Sequence, residues 1–331
     1  MKYLLWATLI VSLQVVAQSD PQSAYRAQQA TKTLFTDIVA TDNRAIAVGQ
    51  HGTIVFTDDG QTWQQANSPV DILLTAVEFV DNQNGWACGH DATILNTQDG
   101  GQNWQVQQFK PGIDKPCLDI MFSDVNNGIA VGAYGMFFVT DDGGQTWTKR
   151  FLDSLLFPED RDYLLDLKEN DPEGFEIESA SILPHFNRIK TTNNGIYIVG
   201  EMGLIALSQN GGQTWLREEE IYMGSFFDVA QFGDRVFVAG LRGNAFTYAQ
   251  DDGWQQLESA EQATMNSIMT TPNDGLYIFG NSAMIYHLES AEDMQLKTKQ
   301  LDDGKAILNG VVFKGQLLLV TEAGIKSEEL K

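Results

Sequence analysis

Cysteine and histidine are scarce in this chain, with two of the first and four of the second among 331 residues. Two cysteines cannot build the disulfide framework of small secreted domains, and no Cys or His stands at the spacing of a zinc site. No metal and no cofactor is expected. Cations are also few: 21 Lys and Arg face 44 Asp and Glu, for a formal net charge of −23. Phosphate backbones are gripped by clustered cations, so nucleic acid is excluded as a partner class. The simplest meaning of the charge is a solubilising acidic surface. Long apolar runs are missing after the first residues, so nothing in the mature chain is expected to span a bilayer.

The start of the chain is different. Lys2 precedes an apolar run at 3–16, and Val15 and Ala17 occupy the small-residue positions of a secretory cleavage site. At about 14 residues the run is short of the about 20 that a spanning helix needs. No Cys follows it, so a lipid anchor is not expected. Residues 1–17 are therefore read as a signal peptide, with a mature chain from about Gln18 exported to the periplasm of a Gram-negative envelope. There Cys88 and Cys117 could pair, or could stay as buried free thiols, since Cys88 lies in an apolar strand.

What the chain has in abundance is repetition. TDDGGQTW at 140–147 recurs as TQDGGQNW at 97–104, SQNGGQTW at 208–215 and, one residue shorter, TDDGQTW at 57–63. An Asp or Asn that bonds nearby backbone N–H groups, then glycine, then an anchoring Trp makes a tight hairpin turn. A second landmark is an apolar strand ending in Gly-x-x-Gly: VGQHG at 48–52, VGAYG at 131–135, VGEMG at 199–203 and AGLRG at 239–243, with worn copies from Cys88, Phe279 and Val320. The first glycines, Gly49, Gly89, Gly132, Gly200, Gly240 and Gly280, are spaced by 40, 43, 68, 40 and 40 residues. A unit of about forty residues is the length of a propeller blade.

Within a unit, four short strands alternate with turn signals such as Asn84-Gly85, Asn127-Gly128, Asn194-Gly195 and Asp274-Gly275. Seven units without helical periodicity predict an all-β fold, a seven-bladed propeller of four-stranded antiparallel blades occupying 18–331 as one domain. The last unit holds only three strands, at 307–313, 316–321 and 325–328. The segment 23–31 is placed to supply the fourth and so cover an open edge. The 68-residue interval marks an acidic insertion at 152–184, between blades three and four, in which one short helix is expected.

Topology sorts the loops by face. Turns between strands two and three share a face with the connections between blades, and the Asp-bearing turns lie opposite. Between the repeated glycines the middle residues vary, and His51, His90, Asp91, Tyr134, Glu201, Met202 and Arg242 form the candidate partner-binding rim. Surface turns also vary where little constrains them, and an ion pair of Arg242 with Glu201 or an insertion carboxylate would be a purely structural role. His51 and His90, on neighbouring blades, lack further ligands for a metal. The repeated Asp59, Asp99, Asp142 and Asn210, with Trp63, Trp104, Trp147 and Trp215, are read as structural. Blades splay outward and separate these carboxyls beyond the about 5–10 Å of a glycosidase pair.

GWACGHDATILNTQDGGQNW and GIAVGAYGMFFVTDDGGQTW resemble blades of the photosystem II stability/assembly factor family, exported seven-bladed propellers with Asp-box repeats. The resemblance covers the chain from about Phe35 to its end, apart from the insertion. It implies a non-enzymatic scaffold, since members in phototrophs are assembly chaperones that bind a precursor of a reaction-centre subunit. It also makes Arg242 a match to a basic contact surface. Relatives occur in non-photosynthetic Gram-negative bacteria, where the client would be an envelope or membrane protein such as an exporter component. A monomer is expected.

Asp boxes also occur in sialidases. Such a site needs an Arg triad, a Tyr nucleophile with a Glu partner and an Arg-Ile-Pro stretch near the start; the stretch is missing, and only Arg26 and Arg44 precede Arg150. No Ser-His-Asp elbow, phosphate loop or dinucleotide fingerprint is present. The competing reading is a carbohydrate-active propeller with Asp91 and Glu201 as its acid pair.

Overall fold

The computed structural model describes residues 20–271 and 275–329. The signal peptide expected at 1–17 and Asp274 of the Asp274-Gly275 turn lie outside the described residues. Seven antiparallel sheets succeed one another along the chain, six with four strands in sequence order and the seventh with three. The first blade shows the pattern, with strands Phe35–Ala40, Ala45–Gly49, Ile54–Thr57 and Gln64–Gln65 running from the centre outward. The innermost strand of the seventh blade, Ile307–Phe313, packs beside Phe35–Ala40 and closes the ring.

Second strands such as Ala45–Gly49 and Gly128–Gly132 are buried along their whole length, because each blade is covered by a neighbour on both faces. Their apolar runs are therefore continuous rather than alternating, as for any sheet buried on both sides. Between blades one and two, Ile46, Val48, Ile54 and Phe56 pack on Leu74, Val77, Leu95 and Trp104. Each such side chain contributes about 1.5–3 kcal/mol when fully buried.

The repeated glycines have a steric cause. Each innermost strand carries a bulge at its start, as between Phe35 and Asp37, which brings the preceding carbonyl onto the end of the second strand. A Cβ on Gly49 would stand 2.1 Å from the Leu34 carbonyl oxygen. Gly52, at φ 63°, lies under the connection to the next blade, where a Cβ would meet the Val70 carbonyl oxygen at 1.8 Å. The two glycines are required by the backbone packed against them, which leaves the residues between them free to vary.

Cys88 and Cys117 form a disulfide with Cα atoms 5.8 Å apart, tying the second strand of blade two to the innermost strand of blade three. This decides between the two states left open by the sequence. Nearby, Thr75 Oγ1 donates to the Cys117 carbonyl at 2.7 Å.

Two expectations are corrected. Segment 23–31 supplies no fourth strand to the last blade, whose described sheet ends at Gly324–Glu328. Ala24 N–H instead donates to the Ser68 carbonyl at 3.1 Å, and Ala27 N–H to Gln65 Oε1 at 3.0 Å. Arg26 donates to the Gln65 carbonyl and to the Asn67 side chain. These partners hold the segment against the outer strand of blade one and its continuation. The 3-10 turn Ala30–Lys32 that follows reaches the seventh blade, against Gly324.

The insertion holds two helices rather than one, α1 (Pro158–Asn170) and α2 (Pro172–Ser179). Pro172 ends one and starts the other, and the Asp171 carboxylate caps the second by accepting from Gly174 N–H at 3.1 Å. Leu152, Leu155, Leu156, Leu164 and Leu183 anchor the insertion on Phe137 and Trp215. Among the described residues, no helix is long and apolar enough to cross a membrane.

Candidate functional site

The two ends of the blades are built differently. At one end, the Asp-box turns satisfy themselves. Thr140 Oγ1 donates to Asp142 Oδ1 at 2.8 Å and accepts from Gly144 N–H at 2.9 Å, while Asp142 accepts from Thr146 N–H at 2.9 Å. The hydrogen bonds from the Thr146 backbone and hydroxyl hold the Asp142 carboxyl down at about 2. Asp59 is held well below the usual carboxylate range in the same way, chiefly by Thr62 and Gln61 N–H. At Asp99, burial pushes upward, but bonds from Asn103, Thr97 and Gln102 prevail and the carboxyl is lowered. Asn210 makes the same turn with a neutral amide, accepting from Thr214 N–H at 2.9 Å.

The tryptophans complete each turn. Trp104 and Trp215 are buried and donate Nε1–H to Gly101 and Gly212 carbonyls at 3.0 and 3.1 Å, whereas Trp63 and Trp147 are half-buried. The acids are thus lowered by local backbone and side-chain partners, and each is contained in its own blade. A general acid needs the opposite shift.

At the other end, the Gly-x-x-Gly turns touch the connections between blades: Gly135 N–H donates to the Pro184 carbonyl at 2.9 Å and Gly203 N–H to Gly224 at 2.8 Å. His51, Asp91, Tyr134, Met202 and Arg242 all have φ between 52° and 58°, in the left-handed region. A bulky residue there costs about 1–2 kcal/mol relative to the right-handed form. The repeated backbone therefore turns the second variable side chain of the turns in blades one to six the same way. His51, His90, Tyr134, Met202 and Arg242 are exposed, and Asp91 and Glu201 partly so.

Blades three and four bring some of these together. The Tyr134 ring meets the His185 ring edge-on at 4.5 Å, and His185 Nδ1 lies 3.5 Å from Glu201 Oε1. Glu201 is thereby engaged by His185, and Arg242 makes no ion pair among the described residues. Asp91 and Glu201 sit on blades two and four, with the Tyr134 turn of blade three between them. His51 and His90 lie on separate turns, and no three His, Cys, Asp or Glu side chains gather as a metal site among the described residues.

The central channel holds a cluster that the repeat pattern did not single out. A cavity of about 1100 Å³ is lined by the innermost strands, including Asp37, Glu78, Asp119, Arg188, Lys190 and Asn309. None of the rim residues lines it. Asp37 accepts from Val77 N–H at 2.9 Å, Asp119 from Ile189 N–H at 2.8 Å and Asp228 from Ile268 N–H at 2.7 Å. Arg188 lies 3.4 Å from both Asp119 and Asp228, and Lys190 is 3.1 Å from Asp228. Buried polar groups paired across strands in this way lock neighbouring blades together.

Burial, reinforced by Asp119, pushes the Glu78 carboxyl up to about 8. Burial also raises Asp119, against the pull of Arg188, to about 6. The available signal was a lone charged residue at the bulge in otherwise uncharged strands, as in FTDIVA and CLDIMF.

Fold and site together define a propeller of Asp-box blades with a structural face and a variable face. The family model described as photosynthesis system II assembly factor YCF48 matches residues 55–114 and 107–219. The chain belongs to this photosystem II assembly factor-like family.

Among curated relatives, the photosystem II assembly protein Ycf48 of Thermosynechococcus vestitus is 34% identical over 47 residues, 14% of each chain. A chloroplastic photosystem II stability/assembly factor of Guillardia theta is 39% identical over 57 residues, 16% of this chain and 14% of the relative. These matches thus span about one-seventh of the relatives' length.

Among solved structures, YCF48 bound to D1 peptide superposes with a TM-score of 0.66 at 17% identity, covering 95% of this chain and all of that one. YCF48 from Cyanidioschyzon merolae gives 0.63 at 13% identity, covering 93% of this chain and 98% of that one. The WD40 propeller of Doa1 also gives 0.63, at 12% identity over 93% and 95% of the two chains. At these identities the likeness is one of fold.

Proposed function

We propose that this chain is a non-enzymatic propeller scaffold, exported to the periplasm, that binds a protein client through its Gly-x-x-Gly face and aids assembly or stability of an envelope complex. The observation that supports it most is the shared backbone of the variable turns. One strained, repeated conformation turns unlike side chains outward on the face where the insertion sits. Membership of an assembly-factor family, with a member solved bound to a peptide, fits a protein client.

The repeated acids serve the turns that carry them, and the candidate acid pair Asp91 and Glu201 is split between two blades, so no reaction is assigned. Affinity capture from envelope extract is expected to recover a defined client with the wild-type protein. Recovery is expected to be lost when Tyr134, Met202 and Arg242 are replaced together by Ala. Undiminished recovery with the triple variant would remove this face as the site.

A further inference from the structure

On the variable face, the stretch from blade three to the connection after blade four stands apart. Tyr134, Met202 and Met223 are 45%, 47% and 62% exposed. A run of contacts links the first two: Tyr134 packs on His185, His185 contacts Glu201, and Glu201 precedes Met202 in its turn. Gly203 N–H to the Gly224 carbonyl then seats that turn against the loop carrying Met223. Exposed large apolar side chains, two of them held outward at positive φ, make a sticky patch, and methionine adapts its shape to varied partners.

Charge around the patch selects the partner. Glu220 lies beside the Met202 turn, its Cγ 3.6 Å from where a Gly203 Cβ would stand, and Glu218 and Glu219 precede it. The insertion adds ten carboxylates between Asp153 and Glu178, against Arg161 and Lys168. Among the described residues, none of these ten enters an ion pair.

The local cations bond neutral carbonyls and offset only part of the acidic charge, with Arg217 feeling Glu220 and Lys115 lying over the Tyr134 ring. Lys115 donates to the carbonyls of Tyr134 and Ala180. Arg217 donates to the carbonyls of Leu155 and Met202 and lies 4.1 Å over the Phe157 ring. Arg161 donates to the Asp153 carbonyl. These contacts also clamp both ends of the insertion beside the patch. A collar in which acids outnumber cations, set around an apolar centre, favours a basic partner and disfavours an acidic one.

We infer that the segment docked here is a basic amphipathic peptide stretch of the client, with apolar anchors on Tyr134, Met202 and Met223 and Lys or Arg side chains toward Glu218–Glu220 and the insertion. The inference rests on the client-binding reading above and gives its partner a chemistry.

The test uses the full mature protein and three labelled synthetic peptides that share one leucine pattern and carry Lys, Gln or Glu at the remaining positions. Fluorescence anisotropy at low salt is expected to show the Lys peptide binding at least about tenfold more tightly than the Gln peptide, a gap that narrows as salt screens the collar. A combined Tyr134→Gly, Met202→Gly and Met223→Ser variant is expected to lose about tenfold or more in Lys-peptide affinity. Glycine suits the positive φ at the first two positions, so the fold is kept, as a melting curve verifies. The amide variant Asp162→Asn, Asp166→Asn, Glu169→Gln and Glu176→Gln is expected to reduce the preference for Lys over Gln while leaving Gln-peptide binding unchanged.

Equal affinity for Lys and Glu peptides, or Lys-peptide binding unaffected by the patch variant, overturns the inference. If affinity capture still recovers a client in either case, the inference fails and the scaffold reading stands. Loss of capture specificity as well removes both.

Discussion

The two faces of this propeller are made from the same blades, yet one is chemically closed and the other open. On the Asp-box face, Thr140, Asp142, Gly144 and Thr146 bond to one another, and the turn of blade two does the same with nearly the same residues. On the Gly-x-x-Gly face only the glycines are dictated, by carbonyls packed against them, and the side chains between them are unlike from blade to blade. Repetition of polar residues therefore marks where the structure needs them, and function is sought where the frame is repeated but its cargo is not.

The largest stability effect belongs to the closed face. Trp215 is buried in the cluster shared by blade three, blade four and the insertion, with its ring 6.0 Å from that of Phe137. Trp215→Ala is expected to cost about 3–5 kcal/mol in denaturant unfolding, in the range of other aromatic truncations. A cost near that of an ordinary surface substitution would erase the distinction between the faces.

Asp142→Asn sharpens the contrast through pH. The folded carboxyl is lowered from its ordinary value of 3.8 to about 2. A depressed carboxylate stabilises the fold above its unfolded value, and that contribution is lost as pH falls through the folded value. The Asn variant, which copies the turn already present at Asn210, should melt slightly below wild type at neutral pH. The gap should close as pH drops through this window. A gap that stays constant with pH would show that the hydrogen-bonded charge contributes nothing. Smallest of all, Met202→Gly should leave the melting temperature almost unmoved, since losing an exposed side chain is offset by relief at positive φ.

Legibility in the sequence divides along the same line. The strands at 307–313 and 316–321 were readable to the residue, because turn signals bracket apolar runs in every unit. The ends were not. Residues 24–27 find partners on Gln65, Asn67 and Ser68, side-chain and backbone groups whose location depends on the finished first blade. The second insertion helix hid behind Pro172, which reads as a breaker until the Asp171 carboxylate is seen capping α2 at Gly174.

Channel residues Asp119, Arg188 and Asp228 are far apart in the chain and meet when blades three, four and five pack, and Asn309 reaches Asp37 when the ring closes. The rim residues could be named from the repeat alone. That Tyr134, Met202 and Met223 form one patch needed the His185 bridge and the loop at Gly224.

The most direct measurement places a photo-crosslinking amino acid at Met202 on the open face or at Gln145 on the closed one, in cells of the native host. Both positions are exposed. A discrete protein adduct from Met202, with none from Gln145, is the predicted result. Adducts from Gln145 with none from Met202 would contradict a client bound through the open face.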